Sequence, residues 1–178
     1  MNESTKKRNI ELPWKMRALI DLIRDTGLRK ELARAGGIYL WEDKSPDGRP
    51  AYIGKATSRT GLWKRQLQWY FMQINGQAQI PKKYRQNKEH WKFDRDNLQC
   101  IETITNKDLF NELVNDAHSY VKHITVYWVE LPDDKLNDVE GMLITKLDPW
   151  SNSKCPKSSL SASDVFHTGD IPNCLQSK

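Results

Sequence analysis

Between Trp14 and Ala35 the apolar residues recur at helical spacing: Trp14, Ala18, Leu19, Leu22, Ile23, Leu28, Leu32 and Ala35. With Pro13 as its opening residue, this pattern predicts a helical N-terminal extension over residues 1–35, bent or divided at Gly27. Gly36 and Gly37 stop the helix, and Ile38 to Trp41 is a run of strand formers. Asp43 to Pro50 contains the turn sequence Ser-Pro-Asp-Gly, after which Ala51 to Gly54 reads as the return strand of a hairpin. Leu62 to Ile74 is amphipathic at helical period, as is Asp108 to Val121, and Leu98 to Ile104 has the composition of a short strand. His123 to Leu131 alternates β-branched and aromatic residues and is the strongest strand signal in the chain. Pro132 and Asp133 open a further helix through Leu136, Val139, Leu143, Ile144 and Leu147, which ends before Pro149. Lys154 to Lys178, rich in Ser, Pro and Asn, predicts an extended tail. The expected architecture is a single α/β (α+β) domain over 1–178, with a small mixed or antiparallel sheet of about three strands flanked by helices. Residues 72–122 form an insertion in that plan, and residues 153–178 its tail.

Composition narrows the classes. The chain has 178 residues, 38% hydrophobic and 29% charged, enough for one well-filled core. No apolar run is long enough to span a membrane, so no membrane partner is expected. Met1 to Arg8 is polar and lacks the apolar stretch of a secretory signal. Three cysteines, Cys100, Cys155 and Cys174, make no C-x-x-C pair, which excludes a disulfide framework and a cysteine-rich zinc site and fits a cytoplasmic location. The four histidines lack metal-ligand spacing, and neither a glycine-rich phosphate loop nor a Ser or Cys nucleophile signature occurs. The net charge of +5 is unevenly placed. Lys55 to Arg95 holds ten Lys and Arg against two acids, a local +8 that leaves −3 for the rest. Trp63, Trp69, Tyr70, Phe71, Tyr84, Trp91 and Phe93 lie among those cations. Cations that release counterions, interleaved with rings that stack on bases, suit a nucleic acid; a solvated basic face over aromatic core residues suits the same pattern.

The motifs decide between these. Gly37-Ile38-Tyr39 and Tyr52-Ile53-Gly54 stand on the paired strands of the hairpin, and Lys55-Ala56 follows the second. Leu62-Trp63-Lys64-Arg65 opens the next helix. Glu140 lies in the last helix, which runs out into Leu147-Asp148-Pro149-Trp150-Ser151-Asn152. Together these resemble the GIY-YIG nuclease superfamily, with the motifs closest to the nuclease domain of the excinuclease C subunit. The matched pieces, Gly36 to Phe71 and Ile124 to Asn152, hold all the positions of the family's chemistry.

The resemblance implies a metal-dependent endonuclease that hydrolyses DNA to 5′-phosphate and 3′-hydroxyl ends. Its site residues would be Tyr39, Tyr52, Lys55, Arg65, Glu140 and Asn152, with Glu140 the ligand of Mg²⁺ or Mn²⁺. The chemistry is coherent on physical grounds. A single carboxylate leaves most of a magnesium shell to water and phosphate. A guanidinium offers a permanently charged fork of donors to the phosphoryl oxygens. Tyr52 would act as general base with Tyr39 as its partner, the phenol's high intrinsic pKa being lowered by Lys55 and the nearby metal. Asn152 would fix the site by hydrogen bonding near the helix end. Lys64 and Arg59 would contact phosphates, and Lys82, Lys83, Arg85 and Lys88 of the insertion would grip DNA. The resemblance fits a restriction-like, phage, mobile-element or repair enzyme, and a homodimer is natural because duplex cleavage needs two active sites. The alternative is a catalytically inactive DNA-binding module of the same fold; an acid at position 140 argues against it, since a binder gains nothing from negative charge near phosphate. Trp69 stands where the family commonly has a tyrosine or histidine one turn after the arginine, with Tyr70 beside it.

Overall fold

Two strands buried on both faces mark the middle of the sheet: β2 (Gly37–Glu42) and β4 (Thr125–Glu130), in each of which four or five consecutive residues are buried. Only an interior strand has use for such an unbroken apolar run, because both of its faces are covered. The computed structural model describes residues 9–43, 50–74, 107–152 and 155–176. Its sheet has five strands in the order β3-β2-β4-β1-β5, with β1 at Ile10–Ala18, β3 at Tyr52–Ala56 and β5 at Val165–Gly169. The pairs β3–β2, β2–β4 and β4–β1 are antiparallel, and β1–β5 is parallel. The protein is thus a mixed α/β fold.

Three expectations need correction. Among the described residues the sheet has five strands where about three were expected, and both additions come from the chain ends. Trp14 to Ala18 is strand rather than helix, because Leu12 and Trp14 bury on alternate positions of β1 against one face of the sheet. Pro13 lies in the half of β1 that pairs only with β5, where a missing N–H is tolerated. The remainder of that segment is helical, but in two short pieces, α1 (Leu19–Arg24) and α2 (Thr26–Leu32). The break falls at Asp25, whose side chain accepts from the N–H groups of Gly27 and Leu28 and caps α2. The expected tail contributes β5 and a short helix, α6 (Asn173–Gln176).

The other elements follow the pattern closely. Helix α3 spans Leu62–Ile74, α4 spans Lys107–Val121, and a 3-10 turn at Asp133–Lys135 leads into α5 (Leu136–Leu147). Asp148 ends α5 in the left-handed conformation (φ 45°), its N–H closing on the Ile144 carbonyl. Residues Leu98 to Ile104, the Ser-Pro-Asp-Gly turn and most of the basic insertion lie outside the described residues.

The sheet separates two cores. On one face Tyr39, Trp41, Val126 and Trp128 pack with Leu19, Leu22, Leu32 and Leu62 and with Tyr120 and Val121 at the end of α4. On the other, Ile38, Leu40, Ile53, Tyr127 and Val129 pack with Leu136, Val139, Leu143 and Ile144 of α5. β3 is an edge strand, so groups from both faces can meet around it.

Candidate active site

The glycines of the two tripeptides are set by close approach. Gly54 faces Tyr39 across the β2–β3 ladder. A Cβ at Gly54 would stand 2.5 Å from the Tyr39 phenol oxygen and 2.7 Å from Cε1 of Tyr52, so only a residue without a side chain lets both rings lie over it. A Cβ at Gly37 would stand 2.1 Å from the Val129 carbonyl oxygen. The two phenol rings are neighbours, with centroids 6.0 Å apart and planes inclined at 34°. Tyr39 is fully buried and Tyr52 partly so.

Tyr52 registers the charge around it. Burial raises its pKa above the usual phenol value. The Arg65 guanidinium pulls against that rise, Glu140 adds to it, and the neighbouring Tyr39 phenol favours the ionised form. Tyr52 therefore feels an arginine from α3 and an acid from α5, helices on opposite faces of the sheet.

Arg65 is carried by a firmly seated helix. The N–H of Leu62 donates to Ala35 O (3.0 Å), tying the start of α3 to the residue before the hairpin glycines. One position after the arginine, Gln66 is 1% exposed and accepts from the Trp41 indole N–H at 2.6 Å. That buried bond locks the rotation of α3 over β2 and so the direction in which Arg65 leaves it. The guanidinium Nη1 donates to Gln68 Oε1 at 2.9 Å.

Glu140 occupies a core position. It falls between Leu136 and Ile144 at i+4 spacing on the buried side of α5, and is 8% exposed. A carboxylate there is costly unless partnered. Its partner is Lys55, whose Nζ lies 2.7 Å from Glu140 Oε2 and 2.5 Å from Asn137 Oδ1, one turn earlier on the same helix. Lys55 thus sits with Glu140, and the main charge favouring an ionised Tyr52 comes from Arg65 instead. The reason is the strand period: an odd spacing puts Tyr52 and Lys55 on opposite faces of β3.

Asn152 closes the edge of β3. Its Oδ1 accepts from Ile53 N (2.9 Å) and its Nδ2 donates to Ile53 O (2.8 Å), while Ser151 N donates to Ala51 O (3.1 Å). The segment after α5 therefore lies along the sheet edge beside Tyr52.

The structure thus brings Tyr39, Tyr52 and Arg65 to one side of β3, Lys55 and Glu140 to the other, and Asn152 to the edge between them. Arg59 and Lys64 are exposed. Lys82, Lys83, Arg85 and Lys88 lie outside the described residues, as do the side chains of Trp69 and Tyr70. Two residues that the motifs do not single out belong to the arrangement, Gln66 and Asn137. Asn137 carried no signal of its own, because its partner lies on β3, 82 positions away in the chain.

Among the described residues no group of three His, Cys, Asp or Glu side chains is placed to cage a metal ion. Glu140 Oε1 accepts no hydrogen bond from any described side chain, which leaves one hard oxygen open at the site. That donor set fits a magnesium-like cation, whose remaining shell is water and phosphate, and does not fit zinc. Among the described residues no helix is long and apolar enough to cross a membrane. No protein-family model, curated protein or solved structure matches this chain.

Proposed function

We propose that this chain is a divalent-cation-dependent DNA endonuclease of the GIY-YIG type, leaving 5′-phosphate and 3′-hydroxyl ends. The observation that carries the reading is the arrangement around β3: the Tyr39 and Tyr52 rings packed together on one face, the buried Glu140 paired with Lys55 on the other, and Asn152 bonded to Ile53 at the edge between them. An arginine, an acid and a phenol from three elements, gathered at a sheet edge, match what phosphodiester hydrolysis requires.

Tyr52, as the phenolate, takes the proton of the attacking water while the water oxygen bonds to phosphorus and the bond from phosphorus to the 3′ oxygen breaks, that oxygen leaving with a proton from solvent. Tyr39 keeps the Tyr52 ring in place by packing against it. Arg65 presents its guanidinium to the phosphoryl oxygens, where charge builds in the transition state. Glu140 would hold Mg²⁺ or Mn²⁺ through Oε1, with Lys55 balancing Oε2. Such a cation, when bound, supplies Lewis-acid charge neutralisation at the phosphate. Asn152 keeps β3, and with it Tyr52, in place. Arg59 and Lys64, with Lys82, Lys83, Arg85 and Lys88, supply phosphate contacts along the DNA. Cleavage of both strands calls for two copies of the site and hence a homodimer, in a restriction-like, phage, mobile-element or repair setting.

Nicking of supercoiled plasmid in Mg²⁺ or Mn²⁺ tests the reading, with wild type compared against Glu140→Ala, Arg65→Ala and Tyr52→Phe. Wild type is expected to nick, and each variant to lose about 10²-fold or more. Equal nicking by all four proteins would refute it and leave the DNA-binding module of the same fold.

A further inference from the structure

Lys55 has two acceptors on one helix face: Glu140 Oε2 and, one turn earlier, Asn137 Oδ1. An ammonium is a point charge on a flexible stem, with three donors that rotate freely. Given only a carboxylate, it can straddle both oxygens. Here one of its N–H groups donates to Glu140 Oε2 and another to Asn137 Oδ1, a neutral acceptor that adds no charge of its own. Glu140 Oε1 then accepts no hydrogen bond from a described residue, although the acid is one-tenth exposed on its side chain and its partner about one-third. Asn137 itself is exposed and supports no core contact, so the hydrogen bond to Lys55 is the contact that distinguishes it.

We propose that Asn137 is a positioning residue for a divalent-cation site on Glu140, holding the Lys55 ammonium on one carboxylate oxygen so that the other stays open. The inference rests on Glu140 being the cation-binding acid. An ammonium and a divalent ion compete for the same carboxylate; Asn137 assigns each an oxygen. Loss of the acceptor lets Lys55 move onto Oε1 and lowers cation affinity, whereas a carboxylate at position 137 keeps the acceptor and adds attraction for the cation.

The test is Mn²⁺ binding to the full chain, read from the signal of the free ion by electron paramagnetic resonance, for wild type, Asn137→Ala, Asn137→Asp and Glu140→Gln. Glu140→Gln is expected to abolish the site. Asn137→Ala should raise the Kd about tenfold, the size found when outer partners of a metal ligand are removed, with an unchanged unfolding midpoint. Asn137→Asp should bind as tightly as wild type or tighter. A Kd for Asn137→Ala within about twofold of wild type, with Glu140→Gln inactive in binding, would overturn the role of Asn137 and leave the nuclease reading standing. Equal weakening by Asn137→Ala and Asn137→Asp would overturn it as well. Mn²⁺ binding to Glu140→Gln at wild-type affinity would overturn the cation site itself and the inference with it.

Discussion

Asn152 and Ile53 exchange two hydrogen bonds, so that one side-chain amide does for the outer edge of β3 what a neighbouring strand would do. Ile53 lies between Tyr52 and Gly54, and the bonds therefore hold the chain at the residue next to the phenol. Asn152→Ala removes both partners from partly buried backbone groups and is expected to cost about 1–3 kcal/mol of stability. Asn152→Asp should be no better, since a carboxylate cannot donate to the Ile53 carbonyl. Urea unfolding of the two variants checks this; a midpoint equal to wild type in both would show that the edge does not depend on the amide.

Gly54→Ala is expected to be more damaging than its single methyl group suggests. The added carbon would press on the phenol oxygen of Tyr39 and on the ring of Tyr52, and Tyr39 is buried with nowhere to retreat. Overpacking of this kind costs about 1–3 kcal/mol, and here it also separates the two rings. Thermal unfolding together with nicking activity measures both effects, and an unaltered variant would contradict the packing described.

The fold was legible wherever burial is local and periodic. β2 declares itself as a strand by its run of strand formers, β4 by its alternating β-branched and aromatic residues, and α5 by Leu136, Val139, Leu143 and Ile144 at helical spacing. β1 and β5 were not, because each becomes a strand only through pairing with the other end of the chain: Ile10 lies beside Val165 and Trp14 beside Gly169. No local pattern reports that contact. The site divides in the same way. Tyr39, Tyr52, Arg65, Glu140 and Asn152 stand out as motif positions, and the alternation of β3 already places Lys55 across the sheet from Tyr52. The bond between Asn137 and Lys55 links α5 to β3 and has no signature in either segment alone.

The pH dependence of cleavage follows from Tyr52. Its pKa is raised by burial, so the base form is scarce at neutral pH and grows with every step toward alkali. The rate under single-turnover conditions should climb about tenfold per pH unit from pH 7 to 9, and Tyr52→Phe should flatten the profile. A wild-type rate that is level over that window would exclude Tyr52 as the base.

His167 makes the far end of the sheet sensitive to acid. The Trp14 indole N–H donates to His167 Nδ1 at 3.1 Å, which requires that nitrogen to be unprotonated. Burial, aided by Lys146, lowers the His167 pKa below its ordinary value of 6.5. The unfolded chain thus binds the proton more readily than the folded one, and stability is full above pH 6.5 and declines as the pH falls through the folded pKa. Urea midpoints at pH 7.5 and pH 5 should differ by more in wild type than in His167→Gln, which keeps an acceptor but does not titrate. Equal differences would remove His167 from the acid response.

The central claim is that groups from both faces of the sheet act on one phenol. It is tested most directly by an NMR titration of tyrosine labelled with ¹³C at Cζ, following Tyr52 in wild type, Glu140→Gln and Arg65→Gln. Removal of the Glu140 charge should lower the Tyr52 pKa, and removal of the Arg65 charge should raise it. A Tyr52 resonance that titrates identically in all three proteins would contradict the account.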